Sequence, residues 1–111
     1  MPDRLKFAYT FENYAQVVDK LIRQLGVSRY ALYVMDYGAP VGFRLASKYP
    51  ERVTALIVQN GNAYNEGLEQ FWDPIKAYWG TGGATEREAI RWLTAIAATK
   101  WQYTNGVKDA S

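Results

Sequence analysis

Apolar residues recur with a helical period in the first part of the chain. Between Thr10 and Leu25 they fall at Tyr14, Val17, Val18, Leu21, Ile22 and Leu25, the single stripe of an amphipathic helix. Thr10 suits the N-cap, because its hydroxyl accepts from an orphan N–H, and Gly26 suits the stop, because glycine enters the left-handed region freely. The period then changes. Arg29-Tyr30-Ala31-Leu32-Tyr33-Val34-Met35 is nearly continuously apolar and rich in β-formers, which predicts a strand buried on both faces. It breaks at Asp36-Tyr37-Gly38-Ala39-Pro40. Pro40 suits the first turn of a helix, Val41, Leu45 and Ala46 give it an apolar face, and Pro50 closes it. Val53 to Gln59 predicts a second buried strand, so the whole reads as a parallel βαβ unit with a right-handed crossover.

Beyond Asn60-Gly61-Asn62, which reads as a turn, the pattern is one of helices. Asp73 as N-cap and Pro74 as first helical residue open a short helix through Trp79, ended by Gly80. Thr85 and Glu88 fit a capping box opening one helix to about Thr99, with Ala89, Leu93, Ile96 and Ala97 on one face and Trp92 beside them. The division expected is a partial α/β core over residues 1–62 and a helical segment over 63–111. Two parallel strands leave unpaired edges and uncovered apolar faces, so completion by self-association is expected.

Composition narrows the function classes. The hydrophobic fraction is 49%, the charged fraction 22% and the net charge +2, values of an ordinary globular chain. Basic and acidic residues are interspersed, which argues against nucleic acid or an anionic membrane as partner. No apolar run approaches a membrane span and the start lacks a signal-peptide core, so the expected location is cytoplasmic. Without cysteine there is no disulfide or thiolate site, and Glu66, Glu69 and Asp73 have no imidazole to join them, so neither metal nor cofactor is expected. Aromatics make up 15% of the chain, nine Tyr, four Trp and four Phe, a large apolar surface for a small chain to bury.

Asp36 is the residue that bears chemistry. An acid between a buried strand and a helix has two readings. It is a helix N-cap, or it is the nucleophile of an elbow, a sharp strand-to-helix turn that lifts the reactive side chain above the sheet. The blocks Tyr9 to Ala15, Leu25-Gly26-Val27, Val34 to Gly42 and Tyr49-Pro50-Glu51-Arg52-Val53 together resemble α/β-hydrolases with an aspartate nucleophile, the haloalkane dehalogenase and epoxide hydrolase kind. The resemblance implies an internal piece of such a fold, with Asp36 attacking an electrophilic carbon and the backbone N–H of Tyr37 serving as an oxyanion donor. It implies a small-molecule substrate bordered by Tyr37, Asn60, Trp72 and Trp79, with residues 63–111 resembling the start of the cap. Val34 stands where the family's first elbow glycine is usual, and Tyr37 where dehalogenases carry the Trp that holds the departing halide. The family's second step needs a histidine, and this chain has none. On the resemblance, then, the chain forms an ester and stalls.

Two other features invite function. Gly80-Thr81-Gly82-Gly83-Ala84-Thr85 precedes a helix and offers backbone N–H groups to a phosphate, but it follows a helix and lacks the P-loop lysine. The clustered tryptophans either line an apolar cavity or bury one another. From another class comes a second reading: a small homo-oligomer that binds a planar or nucleotide-like ligand at a subunit interface, up to a reductase drawing hydride from a bound cofactor.

Overall fold

The computed structural model describes residues 2–3 and 5–108 and divides the chain into two compact units, Met1–Gly67 and Leu68–Ser111. Asp109, Ala110 and Ser111 lie outside the described residues.

The first unit runs helix, strand, helix, strand. Helix α1 spans Phe11–Gln24, with the Thr10 hydroxyl accepting from the Asn13 N–H at 3.2 Å. It ends in a Schellman arrangement: Gly26 has φ 69°, its N–H donates to the Arg23 carbonyl, and the Val27 N–H donates to the Ile22 carbonyl. The covered face differs from the expected stripe. Ala15 and Asp19 are buried with Phe11, Val18 and Ile22 half-buried, while Tyr14, Val17, Leu21 and Leu25 are exposed. The apolar arc is wide, and helix α2 covers only one flank of it.

Strand β1 (Tyr30–Met35) pairs in parallel with β2 (Val53–Gln59), in the register Leu32 to Leu56 and Val34 to Val58. Between them α2 (Gly38–Lys48) buries Ala39, Gly42 and Leu45 and packs on β1. A Cβ on Gly42 would collide with Cγ1 of Val34, so the glycine sets how closely helix meets strand. Along β1, Tyr30, Leu32 and Val34 are covered, whereas Ala31, Tyr33 and Met35 are exposed. Burial of both strands on both faces does not hold: Thr54 to Gln59 are all exposed, Ile57 at 54%. The physical reason is that α2 packs on β1, covering alternate residues of that strand, and leaves β2 beyond Val53 exposed on both faces.

One ion cluster ties the entrances of these elements together. Buried Asp19 of α1 meets Arg52 Nη1 at 2.7 Å and Arg23 Nε at 2.9 Å. Arg52, in the 3-10 turn Pro50–Arg52, also donates to the carbonyls of Val27 and Ser28 just before β1, and its guanidinium lies over the Tyr30 and Tyr49 rings.

In the second unit α3 (Asp73–Thr81) is capped at Trp72, and Asp73 pairs instead with Lys76 at 2.6 Å. It runs past Gly80 and stops at Gly82, whose φ of 63° takes the left-handed position expected of Gly80. The long helix from Thr85 is also corrected. Helix α4 (Ala84–Ala89) starts at Gly83 rather than Thr85, a 3-10 turn spans Arg91–Thr94, and α5 (Ile96–Thr104) follows. Trp92 and Trp101 explain the break. Nine residues apart, they would point about 180° from each other on a continuous helix. In the broken chain both reach Phe71, Trp92 edge-on at 5.9 Å and Trp101 stacked at 6.3 Å.

The contrast between two arginines tests the ion cluster. Arg52→Met leaves Asp19 with only the half-exposed Arg23 as partner and lowers stability by more than a surface pair does. Arg44→Met, which breaks an exposed 3.6 Å pair with Glu12, lowers it by less than about 1 kcal/mol in the same denaturant titration. The Arg23 hydrogen bond, against the opposing effect of burial and aided by Arg52, holds the Asp19 carboxyl below the usual carboxylate range. Its stabilising contribution is therefore present at neutral pH and lost as pH falls through that depressed value. Asp19→Asn removes it, so the variant's Tm falls less on acidification than the parent's.

Candidate active site

The carboxyl ends of β1 and β2 are level, Met35 opposite Gln59, and each strand is followed by a residue in the left-handed region. Asp36 has φ 48° and Asn60 φ 47°. This conformation is uncommon for residues with a Cβ, and Asp and Asn tolerate it best. The Asp36 N–H donates to the Gln59 carbonyl at 3.4 Å, and the Asp36 carbonyl accepts from the Ala39 N–H at 3.0 Å. The chain thus turns from strand to helix within two residues, Asp36 and Tyr37, leaving Asp36 exposed at the edge.

Asp36 is not the helix N-cap. Tyr37 holds that position, with φ −64° and ψ −12° and no side-chain capping bond. The small residue that the turn demands is Ala39, fully buried, and not Gly38, which has open space around it. A Cβ on Gly61 would lie 2.5 Å from the Ala39 Cβ and 2.8 Å from Val58 Cγ1. Gly61 is therefore a close-approach glycine that presses the loop after β2 onto the start of α2, drawing Asn60 and Asp36 to one edge. Beyond it, the Asn62 amide donates to the Tyr64 carbonyl at 2.6 Å, fixing the loop.

The Tyr37 ring stacks on Phe11 of α1 at 5.9 Å, and the Arg44 guanidinium lies 5.8 Å from the Phe11 centroid. Burial first, and the neighbouring Asp36 carboxylate second, push the Tyr37 phenol above the usual tyrosine range. Phe11 is a contact that sequence reasoning passed over. Its signal was its place three residues before Tyr14, in phase with the helix stripe.

Asp36, Tyr37 and Asn60 share one edge of the first unit. Trp72 and Trp79 belong to the second unit, where their rings meet at 6.0 Å. In the Gly80–Thr85 loop, Gly83 N–H donates to the Thr81 hydroxyl at 3.1 Å and the Glu86 carboxylate presses on Gly83, an acid where a phosphate would need to sit. Among the described residues no group of three or more acids, histidines or cysteines could hold a metal, and no helix is long and apolar enough to cross a membrane.

Residues 2–91 match the α/β-hydrolase fold family. Over 110 residues the chain is 47% identical to an uncharacterized hydrolase of Saccharomyces cerevisiae, covering 96% of this chain and 37% of the yeast protein. It is 33% identical over 60 residues to a haloalkane dehalogenase of Mycolicibacterium paratuberculosis, covering 54% of this chain and 20% of the dehalogenase. It is 32% identical over 65 residues to a cis-3-alkyl-4-alkyloxetan-2-one decarboxylase of Shewanella oneidensis, covering 58% of this chain and 20% of that enzyme. The chain spans well under two thirds of each of these relatives.

Two measurements check the geometry. Gly61→Val drives side-chain atoms into Ala39 and lowers stability by about 1–3 kcal/mol in denaturant. In an alkaline titration followed by ultraviolet difference absorbance, Tyr37 ionises above the usual tyrosine range. Asp36→Asn moves that ionisation down, but only part of the way, because burial remains.

Proposed function

The chain belongs to the α/β-hydrolase fold family, and from that premise we propose that it carries the nucleophile segment of a hydrolase, with Asp36 as the attacking carboxylate. The observation that supports this most is the left-handed backbone at Asp36, a strained residue between a strand and a tightly packed helix. Such a turn holds the carboxylate clear of the sheet and next to the first N–H groups of α2.

In the reaction proposed, a carboxylate oxygen of Asp36 donates an electron pair to an electrophilic carbon of the substrate. A C–O bond forms, the bond to the leaving group breaks, and the leaving group departs with its electron pair. The product is an Asp36 ester. Its carbonyl oxygen is the group that the Tyr37 backbone N–H would stabilise as negative charge develops during ester cleavage. Asn60 borders the same edge of the first unit. Cleavage by water requires a general base poised near neutral pH. With no histidine among its 111 residues, the chain holds the ester and does not turn over. Activity on an alkyl halide, an epoxide or another strained ring is proposed by likeness to the dehalogenase and oxetanone-acting relatives.

A second reading rests on a separate observation. Tyr33, Met35 and Ile57 form an uncharged, exposed face on the sheet, at 63%, 52% and 54% exposure. Association of copies through it would make the ligand site an interface, suited to a planar or nucleotide-like molecule and even to a cofactor-dependent reduction. Sedimentation decides: the reading requires a stable oligomer, and a monomer removes it.

The nucleophile reading is tested by mass spectrometry after incubation with a primary alkyl bromide and, separately, a terminal epoxide. A single adduct on Asp36 is expected, persisting because nothing in the chain cleaves it, and none in Asp36→Asn. Unmodified Asp36 with either reagent contradicts it.

A further inference from the structure

A cavity of about 720 Å³ opens within the second unit, independent of the residues around Asp36. That volume lies in the range of small-molecule sites. Its wall is mostly apolar, with Tyr78 from α3 and Ile90 and Leu93 from the turn after α4, the last two half-buried. Two cations border it, Arg87 and Arg91, against the single carboxylate of Glu88. Arg87 stands on α4 and Arg91 opens the 3-10 turn that follows it, so two successive elements bring the guanidinium groups to one cavity.

Their charges are unequally satisfied. Arg91 pairs with Glu88 at 3.3 Å, but both side chains are more than two-thirds exposed, 76% and 70%, so water screens the pair. The Arg87 guanidinium has no ion-pair partner among the described residues. The border therefore carries an excess positive charge beside an apolar floor. A guanidinium recognises a planar carboxylate through paired N–H donors. An alcohol gives it less, and an ammonium repels it.

We propose that this cavity binds an amphipathic carboxylic acid, its alkyl chain against Tyr78, Ile90 and Leu93 and its carboxylate between Arg87 and Arg91. The acid is a ligand of the second unit and undergoes no bond change there. The site does not depend on Asp36 acting as a nucleophile.

Isothermal titration of the full chain with octanoate, octanol, octylammonium and acetate tests it. Octanoate binds saturably at one site per chain. Octanol and acetate bind at least about tenfold more weakly, each having lost one of the two interactions. Octylammonium shows no saturable binding. Arg87→Ala and Arg91→Ala, each with an unchanged circular dichroism spectrum, weaken octanoate by about fivefold or more and leave octanol as it was. Leu93→Gln weakens both. Octanoate binding no tighter than octanol binding, or unaffected by both arginine substitutions, overturns the proposal, as does the absence of octanoate binding.

Discussion

The first unit depends on Arg52 reaching Asp19. Three segments that are distant along the chain meet at that guanidinium: the middle of α1 through Asp19, the approach to β1 through the carbonyls of Val27 and Ser28, and the approach to β2 through Arg52 itself. Two parallel strands have no hairpin to set their register, so something must fix where each begins. Arg52 does so by tying both entrances to one buried carboxylate. Asp19 in turn satisfies two guanidinium groups, and the Tyr30 and Tyr49 rings shield the cluster. Once the entrances are level, six residues of β1 bring Met35 level with Gln59, and the two left-handed residues come to the same edge. An ionic contact at one end of the sheet thus determines what stands together at the other.

The opposite end relies on shape. Gly42 lets α2 approach Val34, Ala39 is fully enclosed, and Gly61 brings the next loop onto Ala39. These three small residues leave the chain no room to turn gradually out of β1. The left-handed conformation at Asp36 follows from that packing, and an exposed carboxylate at a strained turn is the chemical outcome. Nearby, Phe11 stacks on the Tyr37 ring, so the first residue of α1 also bears on the geometry beside Asp36.

Much of this was legible in the sequence where the signal is local. Thr10 caps α1 with its hydroxyl and Gly26 ends it with its left-handed backbone, the strand-helix-strand order is as the periodicity predicts, and Val53 to Gln59 is a strand to the residue. Signals that depend on a distant partner were not legible. Arg52 belongs to a familiar Pro-Glu-Arg-Val block, yet its purpose lies in Asp19, 33 residues earlier. The expected helix from Thr85 failed because periodicity counts apolar residues without knowing that Trp92 and Trp101 must reach one ring. Burial of β2 failed for a related reason: an apolar run reports what a strand is suited to, and here only one face of β1 finds cover while β2 beyond Val53 finds none. The cavity beside Arg87 had no sequence signature, since it is the space left where a helix stops early.

Packing at Gly42, Ala39 and Gly61 forces residue 36 into the left-handed region. Comparing the thermal unfolding of Asp36→Gly and Asp36→Ala tests this most directly, because neither side chain carries a charge and only the backbone preference differs. If the turn is as described, the glycine variant is the more stable by about 1 kcal/mol, having no Cβ to strain. An alanine variant equal to or more stable than the glycine variant would mean that residue 36 sits in ordinary right-handed or extended backbone, and the elbow would be lost with it.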